Sequence, residues 1–507
     1  MATTEVHDGQ LRNQGSPAET LGLGSYPVSG AHVLGSAGAK LHRSVHLRYA
    51  VGGIATGIIA NGLLAYVLLY YNLVLGLSAR LVGSVLAIAL IFDAFVDPAV
   101  GYWSDNLRSR WGRRHPLMYA ALIPVPVLFY MLWNPPLVSL GSKWLFAYLL
   151  ATTVALRLLL TCYEVPSNAL VPELTDDYDE RTRLLNFRIT LYNASATGMQ
   201  LALYGYWLRD TPAHPNGLLN ALGYKSMGLW CAFIVLITMF ISSAGLHRFI
   251  PTLRPPTLRQ ESSPSRLYRE LRSAMADRSL VALLVAGVFY SAANGAVNAL
   301  WAYMYSYYWG LGSHKLSMLV VVMSGSALIA LLITQKVAPG RDKPVIARAV
   351  IALTLLMSGL PACLRMLGLF PNNGSPWLFP LLGMFALLEV TFYVMCQVMF
   401  AAMITDLVEA RQLVTGQRQE GLLFAMQMFI IKINSGLGLW LAGIALDVIH
   451  FPMGGAAMQV PSGAVFKLGV VYAPCMMAVY GVAVIALRLF RITRADHQRH
   501  LQELARG

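Results

Sequence analysis

Asp93 and Asp97 stand four residues apart inside the apolar run IFDAFVDPAV. A charge at the centre of a membrane helix costs roughly 3 kcal/mol on insertion scales, so it is seldom kept without a use. The i, i+4 spacing sets both carboxylates on one helix face, one turn apart. Two acids sharing a dry site attract a cation or a proton. The plainer alternative is a structural pair answering the Arg-rich turn RSRWGRRHP just beyond. Their position before Gly101, well inside the run, favours the cation or proton reading.

Three further groups carry charge into apolar sequence. In RLLLTCYEVP, residues Arg157, Thr161 and Glu164 share one face at i, i+4, i+7. Glu164 precedes Pro166, whose ring interrupts the helical hydrogen bonds and frees a carbonyl for a cation or substrate. Alternatively, Arg157 only neutralises Glu164 or an aspartate across an interface. Lys432 lies deep in FAMQMFIIKINSG. An ammonium at that depth needs a carboxylate partner, with Asp93, Asp97 and Glu164 the natural candidates; snorkelling to an interface is the weaker alternative. Glu389, in ALLEVTFY, either gates or binds substrate or hydrogen-bonds across a helix pair, and both readings stay open.

The elements that must position these groups are membrane helices. Hydrophobic residues make up 56% of the 507 positions and charged residues 12%, about half the charge of a soluble chain. Mean hydropathy is +0.56. Apolar runs near the bilayer-spanning length fall at 49–74, 79–103, 116–134, 143–165, 186–208, 225–249, 279–309, 316–335, 345–369, 376–403, 420–449 and 468–490. The short alternating segments of a β-barrel are absent. The expectation is an all-α polytopic protein of twelve transmembrane helices.

The net charge of +14 is distributed with a bias. Arg and Lys crowd the even-numbered connectors and the C-terminal tail, whereas the odd-numbered connectors hold only Lys143, Arg209, Lys225, Lys315 and Lys467. By the positive-inside rule both termini and the even connectors are cytoplasmic, in a plasma (inner) membrane. No basic segment interleaves with stacking aromatics, which excludes nucleic-acid binding. The five cysteines all lie in apolar spans and read as core or lipid-facing thiols.

The longest connector splits the chain into two sets of six helices. The expected organisation is a disordered cytoplasmic tail at 1–48, a six-helix bundle at 49–250, a linker at 251–278 containing a surface helix in SRLYRELRSAMADR, a second bundle at 279–490 and a tail at 491–507. The halves echo each other: RWGRRHP and APGRDKP each place Gly and basic residues before a Pro that opens the next span. Parallel six-helix halves around a midplane site describe the major facilitator fold.

Four stretches resemble the glycoside–pentoside–hexuronide:cation symporter family, whose type member is melibiose permease. They are LYYNLVLGLS leading to DAFVDP, then GYWSDNLRSRWGRRHP, YEVPSNALVPELTDDYDERTRLLNFR, and TGQRQEGLLFAMQMFIIK. The resemblance covers roughly residues 48 to 490. It implies cation-coupled uptake of a sugar or glycoside by alternating access, with H⁺ or Na⁺ as the coupling ion, no cofactor, and a monomer in the lipid bilayer. It implies that Asp93, Asp97, Thr161 and Glu164 bind the cation, that Glu164 and Arg188 also meet the sugar, and that Lys432 completes a charge network. Arg157 and Glu389 are expected to join that network. Asn61, Tyr192, Asn168 and Trp301 are expected on the substrate cavity, with Tyr66, Tyr305 and Gln427 as weaker candidates.

Two positions depart from the family pattern. Melibiose-type members carry an Asp on helix 1 where this chain has Gly57, leaving Asn61 as the nearby polar residue. Sodium-using members carry an Asn where this chain has Val96. Hard cations need several oxygen ligands, so that loss favours protons. In the loops, Asp105, Arg110, Arg113 and Arg114 are expected to face Glu173, Asp176, Asp177, Asp179 and Glu180 as a cytoplasmic gate. A lysolipid transporter and a proton-driven exporter are the alternative transport functions. A membrane enzyme is excluded, because the sequence contains no nucleophile–base pair, metal-ligand cluster or P-loop.

Overall fold

The computed structural model describes residues 41–136, 141–175, 177–212, 214–252, 272, 275–415, 420–490, 495–496 and 499. Most of both expected tails, most of the linker at 251–278 with its surface helix, Asp176 and the side chain of Gln427 lie outside those residues.

Twelve long helices run through the described residues. They are α1 (Arg43–Val74), α2 (Ala79–Asn106), α3 (His115–Trp133), α4 (Ser142–Leu174), α5 (Tyr178–Ala202, continued by a wide turn at Leu203–Trp207) and α6 (Ala221–Ile250). In the second half follow α7 (Arg278–Tyr308), α8 (Ser313–Val337), α9 (Lys343–Met366), α10 (Leu378–Thr415), α11 (Glu420–Val448) and α12 (Ser462–Leu489). Among the described residues, ten helices are long and apolar enough to cross a membrane. The other two are α5, whose first turns carry Asp179, Glu180, Arg181 and Arg183, and α11, whose described apolar stretch is Ser435–Val448. Helix α1 begins at Arg43, earlier than the expected 49, because the His42 imidazole caps it by accepting from the Ser44 amide at 3.2 Å. Helix α5 likewise begins at Tyr178 rather than 186, where Asp177 accepts from the Asp179 and Glu180 amides.

Helix α1 packs on α5 and α6, and α2 on α4; in the second half α7 packs on α11 and α12, and α9 on α10 and α12. Between the halves, α2 meets α11, α5 meets α8 and α1 meets α7. The two RWGRRHP-like turns are built alike. Gly112 and Gly340 both adopt positive φ, at 73° and 80°, a conformation that only glycine takes without cost. Each turn is followed by a Pro in the first turn of the next helix. The ends of α1 and α7 also match: the Leu75 and Leu77 amides donate to Tyr70 and Tyr71 carbonyls, as those of Trp309 and Leu311 do to Met304 and Tyr305.

The halves close on each other at the end far from the termini. Helices α2 and α11 touch backbone to backbone there: a Cβ at Gly443 would lie 2.4 Å from the Ala79 carbonyl oxygen, and one at Gly83 would lie 2.8 Å from that of Leu439. Small residues bring membrane helices close enough for dispersion to hold them. Tyr303 donates to the Asn72 side chain at 2.9 Å, and Ser78 donates to Asp447 at 3.1 Å. Asp210, in the connector after α5, caps the opposite half: its carboxylate accepts from the Ser313 amide at 2.8 Å and the Ser313 hydroxyl at 3.0 Å, at the start of α8. Asp210→Ala removes this bridge. In double electron–electron resonance between spin labels at the exposed Leu222 and Leu369, the variant is expected to gain a longer-distance population. An unchanged distribution would show that the cap does not hold this end shut.

Candidate cation and substrate site

The site begins with a solvation problem on α2. Asp93 is 2% exposed, so its carboxylate must be satisfied by protein groups. Thr161, one turn beyond Arg157 on α4, donates to Asp93 Oδ1 at 2.7 Å. Arg157 Nη2 and Lys432 Nζ both donate to Oδ2, the second at 2.7 Å. Asp97, one turn further along α2, also receives the Lys432 ammonium. The Thr161 hydroxyl lies 3.3 Å from Asp97 Oδ1, but its single hydrogen serves Asp93 better. Asp93 therefore accepts from three donors and is shut off from solvent. Asp97 keeps spare acceptor capacity, and about a third of its side chain is accessible. Lys432 on α11 reaches across from the other half, so this cluster also ties the two halves together.

A cavity of about 220 Å³ opens beside the cluster, lined by Thr56, Arg157, Glu164, Tyr192, Lys432, Ser435 and apolar residues of α1 and α2. Glu164 stands on its wall and, among the described residues, takes none of the hydrogen bonds that link Asp93, Asp97, Thr161, Arg157 and Lys432. A second compartment of about 190 Å³ is lined by Asn61, Tyr192, Asn294, Asn298, Tyr393 and Ser435. The two share Ala60, Leu64, Tyr192 and Ser435, and so form one chamber between the halves. Tyr66, Tyr204, Trp301 and Tyr305 make a chain of ring contacts, with centroids 4.9 to 6.0 Å apart, towards the closed end.

Several expected residues lie elsewhere. Arg188 is not itself a lining side chain: it is buried within electrostatic reach of Glu164 on the wall, donates to Ser167 at 2.6 Å and lies over the Tyr49 ring. Asn168 is exposed near the end of α4 and is not among the chamber's lining side chains. Trp301 belongs to the aromatic chain rather than to the chamber wall. Glu389 does not join the charge network: it lies inside the second half beside Tyr305, Ser358, Tyr472 and Tyr480. Asn61 lines the chamber, yet its amide is committed to α5, donating to the Ala196 carbonyl and accepting from Gln200, both at 3.1 Å. Sequence reading missed Asn294 and Asn298. Their i, i+4 spacing on α7 was the available signal.

Position 96 is occupied by an apolar packing residue. Val96 packs with Val100, Leu117 and Cys162 in a small apolar cluster, so it offers the pair no oxygen ligand. Gly57 packs against α5, where a Cβ would lie 2.4 Å from both the Tyr192 carbonyl oxygen and the Ser195 hydroxyl. An acid cannot simply be restored there.

The loop charges form a clasp inside one half. Arg113 and Arg114 converge on Glu173 Oε1 at 2.6 and 3.0 Å, and Arg114 also binds Asp105 at 2.6 Å and Ser104 at 3.1 Å. Arg110 departs from expectation, stacking over Trp111. Glu180 pairs with His46 and Arg183. The second half repeats the device with Lys343 and Asp406, 2.6 Å apart.

Helical halves related in this way, closed at one end around a charged chamber, define a transporter of the major facilitator class. The family model described as MFS/sugar transport protein matches residues 48–494. The chain belongs to that family, the glycoside–pentoside–hexuronide:cation symporters, and is an integral multi-pass membrane protein, not an enzyme. It is 29% identical over 555 residues to an uncharacterized symporter of Synechocystis sp., covering 92% of this chain and 97% of that one. It is 23% identical to the isoprimeverose transporter of Lactiplantibacillus pentosus, covering 91% and 93%. To the glucuronide carrier protein homolog of Escherichia coli it is 26% identical, covering 77% and 80%. Among solved structures, a D-xylose-proton symporter superposes with a TM-score of 0.55 at 14% identity, covering 86% of this chain and 97% of that one. A nucleoside transporter does so at 0.58 and 11%, covering 88% and 99%. Both share the fold.

Two outcomes test the geometry. Truncating one partner of a buried ion pair costs about 3 kcal/mol or more. Lys432→Ala is therefore expected to lower the unfolding temperature in detergent, and adding Asp97→Asn to recover part of the loss. An unchanged melt would mean that the cluster is not formed. Gly57→Ala is expected to lower the melting temperature as well, by separating α1 from α5; a neutral result would disprove that close packing.

Proposed function

We propose that the chain takes up a sugar or glycoside together with a cation, by alternating access of its two halves, and that the coupling cation is a proton. The single observation that carries this reading is the Lys432 ammonium held between Asp93 and Asp97, facing the chamber. An ammonium in that position stands where a coupling ion would be held. When an ion or proton neutralises Asp97, Lys432 loses half of its counter-charge and the tie between α2 and α11 weakens. Cation binding is thereby linked to the relative position of the halves, which is what coupling requires.

Asp97 is the exchanging group in this scheme because Asp93 is buried among three donors and Asp97 is partly accessible. Val96 offers no oxygen where an amide would add one, which supports a proton over Na⁺, because hard cations gather several oxygen ligands. With the termini in the cytoplasm, as the Arg and Lys bias favours, closure at the far end makes this an inward-facing state. The carboxamides of Asn61, Asn294 and Asn298 in the second compartment, together with the sugar-transporter relatives, support a sugar over a lysolipid.

Asp97→Asn is expected to abolish concentrative uptake in proteoliposomes while leaving the protein folded and sugar counterflow measurable. Sugar accumulation surviving unchanged in that variant would refute the assignment of the coupling site. Sugar-triggered entry of sodium without acidification would replace the proton by Na⁺.

A further inference from the structure

On the basis that the chamber carries a sugar, we propose that Asn294 and Asn298 of α7 read the hydroxyl groups of an uncharged ring, so that the transporter favours neutral glycosides or pentosides over hexuronides.

The argument starts from charge. The cations on the chamber wall, Arg157 and Lys432, are both committed to Asp93 or Asp97. The remaining charged group on that wall is an acid, Glu164. Among the described residues, the compartment containing Asn294 and Asn298 has no carboxylate, ammonium or guanidinium in its lining. A uronate seated there would give up water for neutral amides, or would face Glu164, and both carry a large desolvation or repulsion cost. A neutral ring carries neither.

The amides suit hydroxyls. A carboxamide both donates and accepts, as a sugar hydroxyl does. Asn298 is exposed to the chamber, and of its polar hydrogens one goes to the Asn294 carbonyl at 2.9 Å. Its side-chain oxygen and second N–H remain for a ligand. Asn294 lies beside Tyr393, whose hydroxyl accepts from Gln397 at 2.9 Å. Amides in membrane helices often serve only to join helices, and Asn61 does so with α5; Asn298 makes no such bond among the described residues. Asn294, Asn298 and Tyr393 belong to one half and Tyr192 to the other. A ring held among them touches both halves, which favours closure around it. The missing acid at Gly57 moves hydroxyl recognition away from α1 and towards this wall.

The test is calorimetric binding to the purified full chain of methyl xyloside, methyl glucoside, methyl galactoside and methyl glucuronide. At least one neutral glycoside is expected to bind roughly tenfold or more tightly than the glucuronide. Asn298→Ala is expected to weaken that neutral ligand by roughly tenfold with an unchanged melting temperature. Asn298→Lys, which supplies the missing cation, is expected to shift preference towards the glucuronide. Glucuronide binding as tight as the neutral glycosides in the unaltered chain, or neutral binding unaffected by both Asn294→Ala and Asn298→Ala, would overturn this inference alone. No binding by any of the four would overturn the sugar-transport reading along with it.

Discussion

Neutralising carboxylates inside a low-dielectric bundle is the constraint on which the rest of this molecule depends. Asp93 cannot be hydrated at 2% exposure, and a lone buried charge is among the most expensive things a protein can hold. The solution takes one cation from the same half, Arg157, and one from the other, Lys432. Because one of the two comes from across the interface, the electrostatic solution is also a mechanical connection. A residue that makes burial tolerable thereby makes it dependent on how the halves sit.

The surrounding architecture supports that arrangement at both ends. Towards the far end, backbone-close packing of α2 on α11 fixes the helix that bears the aspartates against the helix that bears the lysine. Near the termini, Arg113, Arg114 and Glu173 bind the start of α3 to the end of α4, and Lys343 with Asp406 does the same between α9 and α10. These clasps lie within each half. Exposed ion pairs are individually weak, but Glu173 is 6% exposed and shared by two guanidiniums. They are suited to keeping each half rigid while it moves, rather than to latching one half to the other.

The two departures from the family pattern acquire physical reasons. Gly57 is a point of close approach between α1 and α5, and the packing that excludes a side chain there also brings Tyr192 to the chamber wall. Val96 is turned into an apolar cluster with α3 and α4, so whatever is read at this position from relatives bears on packing before it bears on ligands. The chamber presents carboxamides from α7 to a ligand.

Much of this was legible in the chain alone. Apolar runs separated by basic turns determine membrane helices, because no other structure satisfies the backbone in lipid except a closed barrel. The spacing of Asp93, Asp97, Arg157, Thr161 and Lys432 identified the charged faces, because the helical period fixes which residues share a side. Only the tertiary structure decided which faces meet. It brought Lys432 to Asp93 and Asp97, and it left Glu389 among tyrosines of its own half. Arg188 turned inward onto Tyr49 and Ser167, and Asn294 and Asn298 opened onto the chamber. Helical periodicity gives each residue an angle about its own axis; the rotation and crossing of one helix against another are set by packing between residues hundreds of positions apart, which no local pattern encodes.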